Sequence, residues 1–512
     1  MRAHQGMLGL ALGLLAAGCE QTVPPPVMPA PPPRVEPTAQ AVDPVGTKPV
    51  LEAPRAFVPP SAVAFTTANG IKVWLLERHT LPMVSVSVSI PYGSASDPRG
   101  KEGVAHITAD MLDEGAGARN AVQLSTAVND LGASLGTGAG TDGSAVTLTV
   151  LKKNFRPAFE IFSDVLARPR FDPKEWSRVS SLWKNDLEKR AQDPDAVARV
   201  VLGSVLYGRD SPYGHPADGL ISTAAKVDLG AVKAFYATHY RPDRATLVVA
   251  GDITQAELAP IVEAALGKWK APATPPEAEP KVTLRPNPPR LVLVDRPAAP
   301  QSVIAVVREG VTATDPRAPL LDLVNTALGG SFTSRLNQDL REEHGWSYGA
   351  RSGFTEMRQN GSFIARASVV TEATGPALTA MLADLDKMAT GGLTDEELAK
   401  VKAQDRADLV QTYESVGGIS RRLGNLATLG LEPSYDARAS RARQDAPKAE
   451  LDKLAAAVSP AHATIVVVGP SATVAPQLAA AGLGTPEAWD AEGFPVAASG
   501  AKPPAAKAQK KK

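Results

Sequence analysis

The sequence predicts an α+β fold built from two homologous α/β sandwich domains. Three short patterns recur at a single spacing of 218 residues along the 512-residue chain. Each copy also begins with two β-strands, continues with several helices and ends with a buried strand. Strands that are covered by helices in this order are typical of an α+β sandwich. Because three patterns share one spacing, we interpret the second domain as a duplicate of the first.

The repeat marks the beginning and the end of each domain. The paired positions are Arg78 and Arg296 of Arg-x-x-x-Pro, Asp97 and Asp315 of Asp-Pro-Arg, and Pro242 and Pro460 of Pro-x-x-Ala-Thr. We therefore expect an N-terminal domain at 61–273 and a C-terminal domain at 287–485. Proline-rich residues 274–286 would form the linker between them.

The hydrophobic pattern of the first domain predicts its elements in order. Val84, Val86 and Val88 alternate with serines, as in a half-buried strand. The expected strands are 71–77, 83–90, one near 134, 145–151 and 245–250, and the expected helices are 102–113, 121–131, 154–167 and 173–192. The last strand could pair beside the first two.

The N-terminal segment predicts export. An apolar stretch at 7–17 is too short to span a bilayer, and it leads into Leu-Ala-Ala-Gly before the only cysteine, Cys19. This arrangement resembles a bacterial lipobox, which implies a signal peptide at 1–18 and acylation of Cys19; an ordinary signal peptide is the alternative. Glu20 follows the cysteine, whereas an Asp there would be a signal for retention in the inner membrane. The expected location is therefore the cell envelope, with a lipid anchor in the outer membrane and the protein facing the periplasm.

The two ends of the mature chain predict little structure. Residues 19–60 are rich in proline and would form a linker. Residues 486–512 end in lysines and would form a basic disordered tail.

Composition excludes several classes of function. Lys and Arg together number 54, as do Asp and Glu, so no charge excess favours a nucleic-acid partner. A single cysteine excludes an intrachain disulfide and a cysteine-ligated zinc site.

A motif in the second domain suggests a family. It runs Gly-Gly-Ser-Phe-Thr-Ser-Arg-Leu at 329–336 and Leu-Arg-Glu-Glu-His-Gly-Trp-Ser-Tyr at 340–348. With the order of elements, it resembles the pitrilysin/insulinase metallopeptidases, including the mitochondrial processing peptidases. The resemblance implies that Arg341 and Tyr348 bind substrate backbone and stabilise the tetrahedral intermediate formed at a zinc ion of another domain. Alternatively, Arg341 only pairs with Glu342 or Glu343, and Tyr348 only packs at a strand edge.

The first domain departs from the family pattern. Active members carry an inverted zinc motif, His-x-x-Glu-His, and a later Glu as the third ligand. His106 occupies the first ligand position here, but Ala109 replaces the general base, Asp110 replaces the second His, and Asp186 stands at the third ligand position. Because general-base assistance contributes about 10²–10⁴-fold to such reactions, hydrolysis at this site should be very poor. Residual binding of a divalent ion stays open, as does a structural role for His106.

The sequence therefore predicts a non-catalytic subunit that binds no cofactor itself. Its expected partners are peptides, the membrane through the lipid anchor, and a zinc-bearing peptidase subunit of the same fold. Two alternatives stay open: a structural or peptide-binding envelope module with no role in hydrolysis, and a weak autonomous metallopeptidase. Homo- or heterodimerisation is not decided by these patterns.

Overall fold

Two six-stranded mixed sheets form the framework of the protein in its computed structural model, which describes residues 57–496. The strands of the first half are β1 Val63–Thr66, β2 Lys72–Glu77, β3 Met83–Ile90, β4 Gly115–Ala116, β5 Arg119–Asn120, β6 Ser134–Ala139, β7 Ser144–Leu151 and β8 Thr246–Gly251. Those of the second half are β9 Leu291–Asp295, β10 Gln301–Glu309, β11 Ser347–Glu356, β12 Gly361–Val370, β13 Thr464–Gly469 and β14 Glu487–Trp489.

Sixteen α-helices cover the sheets within residues 57–496. Those of the first half are α1 Val104–Asp110, α2 Ala121–Asp130, α3 Phe155–Ala167, α4 Pro173–Arg190, α5 Pro194–Tyr207, α6 Ile221–Ala224, α7 Leu229–His239 and α8 Gln255–Leu266. Those of the second half are α9 Ala318–Asn325, α10 Arg335–Asn337, α11 Thr374–Gly391, α12 Asp395–Thr412, α13 Val416–Thr428, α14 Tyr435–Asp445, α15 Lys448–Leu454 and α16 Ser471–Ala480.

Five strands of each sheet share one topology, which confirms the predicted pair of homologous α/β domains. The strand orders are β1-β2-β8-β3-β7-β6 and β11-β12-β10-β13-β9-β14, while β4 and β5 form a separate ribbon. The late strand β8 lies between β2 and β3, parallel to the first and antiparallel to the second. In the second sheet, β13 lies in the same way between β9 and β10. The predicted pairing of the late strand is thus found in both sheets.

The predicted C-terminal boundary at 485 lies too early. β14 pairs in parallel with β9, and Trp489 is buried against it. Ser204 on α5 donates a hydrogen bond to the Gly493 carbonyl at 2.7 Å. Burial of an aromatic ring and strand pairing hold this part of the predicted disordered tail in the fold. The remaining tail from 497 lies outside the described residues, as do the signal peptide, Cys19 and all of the predicted linker before Phe57.

Each sheet is covered on one face by a helix of the other half. α5 packs its apolar side chains, among them Val197 and Val201, on β10 and β13 of the second sheet. In return, α13 packs Ile419 and Leu423 on β3 and β8 of the first sheet. This exchange explains why the late strands β8 and β13 are buried on both faces.

Hydrogen bonds join the halves where α13 crosses β3. Ser85 and Ser420 lie 2.7 Å apart through their hydroxyl oxygens, and Ser89 and Thr428 lie 2.6 Å apart. Across residues 57–496, no helix combines the length and the apolar character that a membrane span requires.

Candidate functional site

The first candidate site lies on α1, whose start is fixed by the repeated Asp-Pro-Arg pattern. Gly103 precedes the helix with a φ of 101°, a conformation that glycine adopts without strain. The Asp97 carboxylate accepts hydrogen bonds from the backbone N–H groups of Gly103 and Ala105, at 2.5 and 2.9 Å. Asp97 thereby satisfies donors that the first helical turn leaves free.

The structure brings three predicted zinc-site positions to one cavity. His106, Asp110 and Asp186 line a cavity of about 360 Å³ between α1 and α4, which Thr137 of the edge strand β6 also lines. Ala109 is fully buried beside them and contributes only a methyl group.

The donors do not form a zinc site as they stand. His106 Nε2 contacts Asp110 Oδ2 at 3.3 Å, so these two groups pair with each other. The Asp186 side chain is 70% exposed and contacts Lys189 Nζ at 3.2 Å. No set of three His, Cys, Asp or Glu side chains in residues 57–496 is placed to hold a metal ion. One histidine and two short carboxylates therefore fit poorly with the tetrahedral arrangement that zinc requires.

The cavity is rich in carboxyl groups that the sequence analysis did not single out. Asp113 and Glu114 line it next to Asp110, and Glu114 pairs with Arg178. Burial raises the pKa of Asp113 to about 6, with a further contribution from Glu114. Burial also raises the pKa of Asp110, and His106 opposes this rise. The sequence could have indicated Asp113, because it lies one helical turn beyond Asp110. It could not show that Asp113 is buried.

The second candidate site surrounds Arg341. It lies in a π-helical turn, Gln338–Glu343, between α10 and β11. Its guanidinium lies over the ring of Phe332, 4.1 Å from the centroid, and its Nε contacts Glu342 at 3.4 Å. The pairing with Glu342 that was the alternative is therefore present, but a contact with an aromatic ring accompanies it.

Tyr348 lies at the start of β11, the edge strand of the second sheet. Its side chain is 93% exposed and Phe332 is 68% exposed, so the two rings present apolar surface to solvent. The alternative in which Tyr348 only packs at a strand edge does not describe this side chain. Nearby, His344 and Trp346 stack with ring centroids 3.9 Å apart.

Asp142, outside both sites, connects the two halves from the glycine-rich turn between β6 and β7. It accepts a hydrogen bond from the Tyr213 hydroxyl and another, at 2.8 Å, from the Arg358 backbone N–H. A sequence pattern could not reveal this contact, because Arg358 lies 216 residues further along the chain.

Comparison with known proteins agrees with these observations. A family model described as "Insulinase (Peptidase family M16)" matches residues 72–210, and one described as "Peptidase M16 inactive domain" matches residues 226–404. An uncharacterized zinc protease of Bacillus subtilis is 23% identical over 373 residues, which cover 73% of this chain and 90% of that protein. One of Mycobacterium bovis is 26% identical over 361 residues, which cover 70% and 82%.

Solved structures share the fold. A peptidase M16 inactive domain from Pseudomonas fluorescens superposes with a TM-score of 0.73 at 26% identity and covers 80% of this chain and 98% of its own. A protease from Helicobacter pylori gives a TM-score of 0.73 at 18% identity and covers 80% and 100%. Since the two family models together match more than half of the chain, this protein belongs to the insulinase family, peptidase family M16.

Proposed function

We propose that this protein is a non-catalytic subunit that completes the active site of a zinc-bearing M16 peptidase during peptide degradation or processing. The observation that carries the proposal is the contrast between its two sites. The first site lacks the general base and has no zinc-like donor geometry, whereas Arg341 lies in the π-helical turn before β11 and Tyr348 is exposed at the start of that edge strand.

The second site has the chemistry that this role needs. A guanidinium carries five N–H donors in a fixed fork and a phenol carries one O–H donor. Donors that are held in place stabilise the oxyanion of a tetrahedral intermediate, and removal of one costs about 10²–10³-fold in kcat. The free edge of β11 also leaves backbone groups available to an extended peptide.

The zinc would belong to the partner, and this chain would bind no cofactor of its own. Cys19 would carry a lipid anchor that holds the pair at the outer membrane, on the periplasmic side. Both parts of the proposal rest on the sequence. Cys19 itself lies outside the described residues.

The test is a peptide-cleavage assay with the full chain alone, a zinc-bearing M16 protein from the same cell alone, and the two mixed. We expect the mixture alone to be fully active, and Arg341→Ala or Tyr348→Phe to lower its kcat by about 10²–10³-fold. Arg441→Ala, at an exposed position of α14, is the matched control and should change nothing.

Two outcomes would reject the proposal. One is a partner that is as active alone as in the mixture, which would favour a structural or peptide-binding envelope module. The other is chelator-sensitive cleavage by this chain alone, which would indicate an autonomous metallopeptidase. If the double variant of Arg341 and Tyr348 supports full activity, the contribution to the intermediate is excluded even where the subunits associate.

A further inference from the structure

A second cavity lies in the C-terminal half, away from Arg341 and Tyr348. It has a volume of about 340 Å³ and lies between α9, the end of β11, and the helices α13 and α14. Thr355 lines this cavity. It lies 218 residues after Thr137, which lines the cavity beside His106. The duplicated domain thus has a cavity against the corresponding part of its edge strand. Tyr348 stands at the opposite end of β11.

Two arginines in the wall of this cavity are already neutralised. Arg422 donates two hydrogen bonds to the Asp436 carboxylate, at 2.8 and 2.6 Å, and the Tyr413 hydroxyl donates another at 2.9 Å. Arg443 is buried, and its Nε lies 2.6 Å from an Asp405 carboxylate oxygen, an ion pair without hydrogen-bond geometry. Each cation therefore has a carboxylate partner outside the cavity lining.

Two carboxyl groups of the lining remain, Glu356 and Asp322. Glu356 Oε1 is inaccessible to solvent and has no hydrogen-bond partner. Asp322 also lines the cavity and is exposed to solvent. A buried carboxylate oxygen without a donor is costly, so its presence calls for an explanation.

The pKa values of Glu356 and Asp322 agree with their positions in the cavity. Burial raises the pKa of Glu356 to about 7, and the neighbouring Asp322 adds to the rise while Arg422 and Arg443 oppose it. Partial burial raises the pKa of Asp322, opposed by the same two arginines, and Asp405 adds to the rise. A bound cation would stabilise both carboxylates in their ionised form.

The other residues that line the cavity indicate which kind of cation would fit. Phe354, Leu429 and Leu431 supply apolar surface, and Asn425 and Tyr435 supply polar groups. Metal ions are disfavoured because the described part of the chain places no three His, Cys, Asp or Glu side chains around one point. We propose that this cavity binds a primary ammonium group on an aliphatic stem, with Glu356 as the buried counter-ion and Asp322 as the exposed carboxylate. Such a group is carried by a lysine side chain of a peptide or by a free amine.

The test is calorimetric titration of the full chain with two probes, n-butylammonium and the methylamide of N-acetyl-lysine. Both carry their charge below pH 9, so we expect affinity to rise between pH 5 and pH 8 as Glu356 and Asp322 ionise. At pH 6.5 binding should release protons, and the measured heat should therefore depend on the ionisation enthalpy of the buffer. Equal affinities would identify any aliphatic ammonium as the ligand, whereas binding of the lysine derivative alone would identify peptide.

Substitutions separate this site from adventitious binding. Glu356→Gln keeps the shape of the side chain and should weaken binding about tenfold or more and abolish proton release. Asp322→Asn should have a smaller effect, and Glu432→Gln, an exposed residue on the same half, should have none. Three outcomes would overturn the proposal. They are equal affinity of the wild type and Glu356→Gln, absence of saturable binding, and displacement of the amine by calcium. None of these measurements requires the zinc-bearing partner, so they are independent of the proposed subunit role.

Discussion

At the scale of single residues, two neighbours on α1 depart from the zinc motif of the family's active members. Ala109 offers a methyl group where the family's active members carry a glutamate, and Asp110 pairs with His106 at 3.3 Å. Asp186 faces Lys189 and solvent. Because carboxylates of Asp are shorter than the side chains they replace, these groups pair locally and do not converge on one point.

Restoring side-chain length should restore zinc binding. We expect the double variant Asp110→His and Asp186→Glu to bind one zinc ion per chain, since with His106 it provides two imidazoles and a longer carboxylate. Competition with a chromophoric chelator measures the affinity. Asp186→Glu alone serves as the control and should bind weakly; equally tight zinc binding by the wild type would contradict this account of the donors.

The contact between Arg341 and Phe332 gives a second prediction. A cation over an aromatic ring at an exposed site contributes about 0.5–1 kcal/mol. If the ring holds Arg341 in place, Phe332→Leu should lower the kcat of the proposed two-subunit enzyme about two- to fivefold with little change in KM. Phe332→Tyr keeps the ring and should retain the wild-type kcat. A larger effect on KM than on kcat would instead indicate that Phe332 contacts the peptide directly.

At the scale of elements, the exchanged helices α5 and α13 determine how the halves hold together. α13 covers Trp74, Leu76 and Val248 of the first sheet, and α5 covers Val292 and its neighbours in the second. Apolar burial of this kind contributes about 25 cal/mol for each square ångström removed from water. The helices therefore act as parts of the opposite domain's core.

A substitution in α13 should accordingly destabilise the first domain. Leu423 is fully buried against that sheet, so Leu423→Ala should lower the free energy of unfolding by about 2–5 kcal/mol. Urea denaturation followed by the fluorescence of Trp74, which lies in the same cluster, would measure it. Val122→Ala, at an exposed site of α2, is the control and should change stability by less than about 0.5 kcal/mol. A loss confined to probes in the second domain would show that α13 does not support the first.

At the scale of the whole molecule, the halves are coupled by contacts far apart in the chain. The exchanged helices, the contact of Asp142 with Arg358 and the Ser85–Ser420 hydrogen bond all join the two halves. Loss of either half would expose an apolar sheet face that natural monomers rarely leave uncovered.

We therefore expect residues 57–496 to unfold in one cooperative transition by calorimetry, although they contain two domains. Residues 57–273 alone should aggregate or stay partly unfolded, because Val248 and its neighbours lose their cover. Adding a synthetic α13 peptide in excess should improve its solubility. Two separate transitions in the full chain would contradict this coupling.

The sequence by itself determined the duplication, the order of most elements and the position of the late strand. Hydrophobic periodicity depends on neighbouring residues and the repeat has a constant spacing, so both can be recognised in the sequence. It also determined that His106, Asp110 and Asp186 share one site, because the spacing of the family motif carried them there. It missed β1 and β14, whose few residues carry too little pattern to be recognised, and it did not predict the helices α5, α7 and α8.

Only the tertiary structure decided what those residues contact. It showed that Asp110 pairs with His106, that Phe332 lies under Arg341, and that Glu356 has a buried oxygen without a donor. It also showed that α5 and α13 cover the opposite sheets. The physical reason is that pairing, burial and ring contacts depend on groups brought together from distant parts of the chain. An amphipathic helix reveals that it has an apolar face, but the surface that covers this face is decided when the whole chain folds.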